Sequence, residues 1–310
     1  MLSSLQEYEP VVVPDYRANE ILVRDVYTNE FISTNPHDYH ALIAPPAFAA
    51  GWGMQALEHD PAASILTASL NSSHGCPIGE GKLCGKYCFA WNAGNKGNVP
   101  ITGLDTKYLR DMELLREKGQ NVSIFWSYDT EPLAGEAVIG VTKKVLRAVM
   151  QSPPTSLLLH TRTAHAIDPE LRSLLKDVSS AANLIVGVAI ETDVEDFGPH
   201  KHYHSVADRL NSLELMAKDG ISTQGTTTPM IGFQDYPGLI KRMADIGVGR
   251  IMLGRLKFTL PGGGAEEARV LDSYGLHVPT EEEALAICAE HKFPGGANTR
   301  ERFYVSMGGN

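Results

Sequence analysis

Six short apolar runs mark the chain between residues 64 and 256, and stretches with a helical period separate them. The runs are SILTASL (64–70), NVSIFWS (121–127), SLLLHTR (156–162), NLIVGVAIE (183–191), ISTQGTTTPMI (221–231) and RIMLGRL (250–256). Several are apolar at consecutive positions. That pattern suits strands buried on both faces, as in a parallel sheet covered by helices. Between the runs, DPELRSLLKDV opens with Asp168 as an N-cap and Pro169 at the first helical position. SVADRLNSLELMAKDG puts Val206, Leu210, Leu213 and Ala217 on one stripe and stops at Gly220. TEEEALAICAEHKF begins with a capping box, Thr280 with Glu283.

Strand–helix units in succession predict an α/β fold with a parallel sheet and right-handed crossovers. The period fits an open doubly wound sheet and an incomplete barrel equally well. Residues 61–258 carry this repeat. Residues 1–60, irregular and rich in Pro and aromatic side chains, are expected to cover the same core. Residues 259–310 are expected to form a C-terminal extension packed on it. Within them GGGAEEA (262–268) lacks a dinucleotide-loop layout and reads as a turn opening a helix.

Composition narrows the setting. Of 310 residues, 43% are hydrophobic and 21% charged, ordinary values for a globular enzyme. The formal net charge of -10 argues against a general nucleic-acid surface. No apolar run reaches the ~18 residues of a membrane span. The N-terminal MLSSLQEYEPVVVPDYRANE lacks the basic-then-apolar layout of a signal peptide. A cytoplasmic protein with reduced thiols is expected.

Three of the four cysteines then stand out. Cys76, Cys84 and Cys88 fall in HGCPIGEGKLCGKYCFAWNAGNKG (74–97), just after the first run. In a parallel α/β fold, strand C-termini face the functional side. A structural zinc site prefers four ligands in paired C-x2-C spacing. Here the spacing is C-x7-C-x3-C, with His74 as the nearest fourth candidate. A redox dithiol needs C-x2-C, which is absent. An iron–sulfur cluster accepts irregular spacing, and three thiolates leave one iron of a cubane open. The plainest reading is three unrelated buried thiols, because free Cys packs as a small hydrophobe. Cys288, on a helical apolar stripe, reads as core.

CGKYCFA, with an aromatic directly before the last cysteine, resembles the cluster loop of the radical S-adenosylmethionine (radical SAM) superfamily. SIFWSYDTEPL, LLLHTRTAHAIDPELRSLL and SVADRLNSLELMAKDGI resemble its spore photoproduct lyase-like branch. The resemblance implies a partial (β/α)6 TIM-like barrel over about residues 64–258, with N- and C-terminal extensions. It implies a [4Fe-4S] cluster on Cys76, Cys84 and Cys88, and S-adenosyl-L-methionine as second cofactor. Reductive cleavage of that cofactor would start radical chemistry on a small polar or anionic substrate. The electron would come from a one-electron reductant such as flavodoxin or ferredoxin. The superfamily's usual spacing is C-x3-C-x2-C, so both gaps here are longer. That departure leaves room for transfer of a 3-amino-3-carboxypropyl group instead. A non-catalytic, metal- or cluster-stabilised barrel is the alternative from outside the class.

The resemblance also distributes roles. Tyr87 packs by the adenine. Ser127, Tyr128, Asp129 and Glu131 stand where the family receives the methionine amino group, although its Gly-Gly-Glu motif is absent. Thr161, Arg162 and Glu191 address ribose hydroxyls and the carboxylate, and Arg209 approaches that carboxylate. The adenine pocket falls at Thr226–Thr228 and Met252–Gly254. For the substrate, His160, His202, His204 and Arg255 collect at predicted strand ends. GPHKHYH (198–204) has metal-binding spacing, with substrate contact and solvent exposure as the competing readings. A DNA substrate is not carried over, because of the negative charge.

Overall fold

A computed structural model describes residues 21–24, 31–34, 65–88, 91, 96–117, 119, 121–126, 130–255 and 274–299. An antiparallel pair comes first, β1 (Ile21–Arg24) with β2 (Phe31–Thr34). The first sheet strand, β3 (Ile65–Leu70), follows. A short pair, β4 (Ser73–His74) and β5 (Val99–Pro100), brackets the cysteine loop and its one-turn helix α1 (Cys84–Tyr87). Then come α2 (Leu104–Glu117), β6 (Asn121–Trp126), α3 (Glu136–Gln151), β7 (Ser156–Thr161) and α4 (Pro169–Ala181). β8 (Leu184–Ala189), α5 (Val206–Lys218), β9 (Ser222–Met230), α6 (Tyr236–Asp245) and β10 (Arg250–Arg255) complete the repeat. The expected strands form within two residues of their predicted bounds.

The sheet order is β3-β6-β7-β8-β9-β10-β11, with β11 at Ala297–Thr299, and every pairing is parallel. A doubly wound sheet must reverse its order at a switch point. This one never does. With crossovers of one hand, all its helices fall on one face and the sheet curls into a partial barrel. A seventh strand, β11 (Ala297–Thr299), adds to the six expected ones. It comes from the C-terminal segment and pairs with β10 through Ile251, Met252 and Leu253. Helix α7 (Glu281–Ala289) connects it and carries Cys288, which is 1% exposed.

Register assigns the two faces. Trp126, Leu159 and Val186 align across the sheet, and all three belong to the large apolar core. A side chain added at Gly225 would strike Met243 of α6, so its side of β9 faces the helices. On the opposite face, a side chain at Gly187 would meet His160, Leu158 and Gln224. Fully burying each Leu or Val of the helix-facing layer contributes about 1.5–3 kcal/mol. The inner face is far more polar.

Local signals act as read. Asp168 accepts from Leu171 N at 2.8 Å, and Thr280 and Glu283 cap each other. Val206, Leu210 and Leu213 of α5 are buried, but so is Arg209 on the same side. Among the described residues no helix is long and apolar enough to cross a membrane.

Candidate active site

The chain leaves β3 and is at once clipped by the β4–β5 pair. Residues 75–88 therefore begin an excursion past the C-terminal end of β3. Two glycines fix its path. Gly75 has φ +74, and a side chain there would overlap Lys96 O. Gly85 lies so close to Gly79 O that a Cβ would overlap it. Leu83 N donates to Lys201 O at 2.9 Å, tying the loop to the segment after β8.

Cys76, Cys84 and Tyr87 are buried in a second apolar cluster with Ile78, Leu83, Ala134, Val194, Phe197 and Ile231. Cys88 packs against it. All three are free thiols. Burial, and then Glu131, push the Cys76 thiol up. A hydrogen bond with Cys88 that favours the protonated thiol, then burial, do the same to Cys84. Arg162 opposes both shifts. Among the described residues, no three His, Cys, Asp or Glu groups converge on a single-ion site. A lone zinc draws its sulfurs to about 2.3 Å from one point.

Beside the thiols lies a buried polar chain. Tyr87 Oη donates to Glu191 Oε1 at 2.8 Å, and Arg162 Nη1 donates to Tyr87 Oη at 3.0 Å. Arg209 Nη1 donates to Glu191 Oε2 and to Ala189 O, both at 2.6 Å. Its Nη2 lies 3.2 Å from His202 Nδ1, and its Nε 3.4 Å from Ser205 O. Arg209 can only donate, so His202 Nδ1 accepts. His202 Nε2 then carries the proton and donates to Val194 O at 2.7 Å. Burial alone would raise Glu191, but Arg209 and then Arg162 hold it well below the usual carboxylate range.

The resemblance expects Glu131 where the cofactor's amino group is received. It braces strand ends instead. Its carboxylate accepts from Thr161 Oγ1 at 2.5 Å, Arg162 N at 2.8 Å and Leu133 N at 3.1 Å. Helix α3 starts at Glu136 after Gly135, with no side-chain cap. Burial pushes Glu131 up to about 7, against those donors.

The histidines divide. His204 Nδ1 accepts from Ala164 N at 2.9 Å, and its ring stands edge-on to His165 at 4.7 Å. His160 is on the inner face, stacked 6.1 Å from Phe125. With His202 and His204 each bonded to the backbone, GPHKHYH reads as wall and not as metal tract. Thr226 and Thr228 lie on the inner face of β9, while Thr227 lies on the helix-facing side. Ser127, Tyr128, Asp129, GGGAEEA and the Arg255 side chain fall outside the described residues. Sequence reasoning missed Gln224, which is 0% exposed and whose Oε1 has no partner, and Phe125. The polar run of β9, STQGTTT, inside a parallel sheet was the available signal for Gln224.

No family model matches the chain, and no curated protein matches it in sequence. Solved structures do. The chain shares its open parallel barrel fold with solved structures of radical SAM enzymes. One such structure is a variant of spore photoproduct lyase with bound AdoMet and dinucleoside spore photoproduct. It matches at 12% identity and TM-score 0.53, over 74% of this chain and 75% of that one. A second lyase variant matches at 14% and 0.53, over 75% and 76%. SuiB of Streptococcus suis bound to S-adenosylmethionine matches at 12% and 0.51, over 77% of this chain and 52% of its own length.

Proposed function

We propose that the chain is a radical SAM enzyme acting on a small polar or anionic molecule. In this reading Cys76, Cys84 and Cys88 hold a [4Fe-4S] cluster and S-adenosyl-L-methionine binds beside it. The observation that carries it is the sorting of the cysteines. The three loop thiols share one cluster at the barrel mouth, while Cys288 lies in the other. When bound, the two cofactors together supply one-electron cleavage of a carbon–sulfur bond.

The chain's own residues bind and orient. The apolar second cluster excludes water from the thiols. Tyr87 stands between Cys84 and Cys88 and is held by Glu191 and Arg162. Glu131 and Thr161 fix the end of β7, so Arg162 leaves the strand at a set angle. Arg209 does not reach for a ligand; it keeps Glu191 charged and in place. Substrate contact falls to the inner face, where His160, Gln224 and Thr228 gather, with His202 and His204 shaping the wall. Ser127, Tyr128 and Asp129 keep their proposed place at the cofactor's amino end, and Arg255 at the substrate. The protein works in the cytoplasm with a flavodoxin- or ferredoxin-type reductant.

Anaerobic purification should give a brown protein with about four irons per chain. Reduced in the presence of S-adenosylmethionine, it should release 5′-deoxyadenosine. Methylthioadenosine as main product would mean aminocarboxypropyl transfer. A colourless zinc protein, or a full cluster with neither product, would sink the enzyme reading.

A further inference from the structure

The inner face of the barrel holds a buried oxygen that nothing satisfies. His160 on β7, Gly187 on β8 and Gln224 on β9 pair in register, so they form one row across that face. A Cβ at Gly187 would lie 2.9 Å from His160 Cδ2 and 3.4 Å from Gln224 Nε2. The bare backbone therefore lets both side chains lean over β8, one from each side. Gln224 is 0% exposed, and its Oε1 has no hydrogen-bond partner among the described residues. Arg250, the next residue of the row, lies against Gly295 and leaves that oxygen unpaired.

The direction of the amide is set by its other end. Nε2 donates to Thr226 Oγ1 at 3.1 Å and lies 3.9 Å from Met252 Sδ. A thioether sulfur only accepts, so the end of the amide beside it is the NH2 and the free end is the acceptor. Thr226 and Met252 pair in register, which keeps both partners on the same face. Burying an acceptor without a donor is costly, and native interiors rarely leave one. The wall beside this one is flat: Phe125 on β6 stands 6.1 Å from His160, with the two rings 24° apart. Nearer the mouth on the same strand, Thr228 Oγ1 also lacks a partner among the described residues.

We propose that this row is the inner end of the substrate pocket and takes a planar group bearing an N–H or O–H donor, an amide or a nitrogen heterocycle, with Gln224 Oε1 as its acceptor. The assignment to a substrate rests on the function proposed above; the chemistry of the ligand does not. An unpaired oxygen repels a carboxylate or a phosphate, so any anionic part of the substrate points toward the mouth. The faces of Phe125 and His160 favour an unsaturated plane over a flexible alkyl chain. Gln224 selects and orients, and no bond is made or broken there.

The test uses metal-free protein and three probes of one shape, followed by NMR titration. Benzamide carries the donor, acetophenone has a methyl in place of the NH2, and benzoate has an anionic oxygen there. Wild type should bind benzamide about tenfold more tightly than either of the others, the worth of one hydrogen bond. Gln224→Met keeps the length and loses the acceptor. It should bind benzamide about tenfold more weakly and acetophenone as before. Its melting temperature should not fall, because an unpaired acceptor leaves with the amide. A structural Gln224 behaves otherwise: its loss lowers the melting temperature and weakens all three probes alike. In wild type, equal binding of benzamide and acetophenone, tighter binding of benzoate, or no binding of benzamide overturns the proposal, and that comparison needs no variant to fold. An unchanged benzamide affinity in Gln224→Met overturns it as well. A chain that took up no iron would end the enzyme reading and leave the probe result standing. Failure of the probes would end this pocket and leave the enzyme reading standing.

Discussion

Two apolar clusters organise the described residues, and both contain cysteine. The larger lies between sheet and helices and is built of Leu, Val, Ile and Met, with Cys288 among them. The smaller lies over the barrel mouth and joins Cys76 and Cys84 to Tyr87 and Phe197. Burial raises the Cys288 thiol to about 11, and it raises Cys76 and Cys84 as well. Depth therefore does not separate a packing cysteine from a proposed cluster ligand. Neighbours do: Arg162 opposes the rise at the mouth, whereas no cation does so at Cys288.

The sharpest way to break this contrast is to remove the thiols one at a time. Cys76→Ala, Cys84→Ala or Cys88→Ala should abolish iron binding. Cys288→Ala should retain all iron and cost only about 1 kcal/mol of stability. Iron assay with a urea melt reads both, and loss of iron from Cys288→Ala would erase the distinction. Next in size is Arg209→Met. It leaves Glu191 buried and without its nearest partner, and such a break costs roughly 3–5 kcal/mol. A loss under about 1 kcal/mol by chemical denaturation would mean that water reaches the pair.

A smaller effect, with a definite sign, belongs to Glu131. Arg162, Cys76 and Tyr203 are the charged and titratable groups facing it. Its carboxyl rises from 4.5 to about 7, so the folded chain holds that proton more tightly than the unfolded one. The contribution is full below about 4.5 and is lost as pH rises through about 7, roughly 3 kcal/mol in all. Glu191 runs the other way: its depressed carboxyl loses its contribution only in acid. Glu131→Gln should flatten the stability of metal-free protein between about pH 5 and about pH 8. An unchanged slope would show that Glu131 is solvated.

Long apolar runs made the parallel sheet legible, because a strand buried on both faces leaves few alternatives. Strand order was not legible, since periodicity carries no information about which strands touch. β11 escaped because Ala297, Asn298 and Thr299 have neither length nor pattern. Helix α2 carried a readable stripe, Leu104, Tyr108, Met112 and Leu115, all of them buried. At the site, the clustering of Cys76, Cys84 and Cys88 was visible along the chain. Tyr87, Arg162, Glu191 and Arg209 were each singled out, but not their pairing. Arg162 and Arg209 look alike in sequence; only packing shows that Arg209 hydrogen-bonds Glu191 while Arg162 stands 3.6 Å from it and donates to Tyr87.

The β4–β5 clip has a consequence for how such a loop varies. Ser73 pairs with Pro100 and His74 with Val99, so the chain enters and leaves the excursion at one point. Insertions between those anchors leave β3 and α2 where they are. Lengthening a closed loop costs little, about 0.6 kcal/mol for each doubling. Cysteine spacing can therefore drift by several residues over an unaltered barrel, and a search that demands a fixed spacing will pass over chains that keep the architecture.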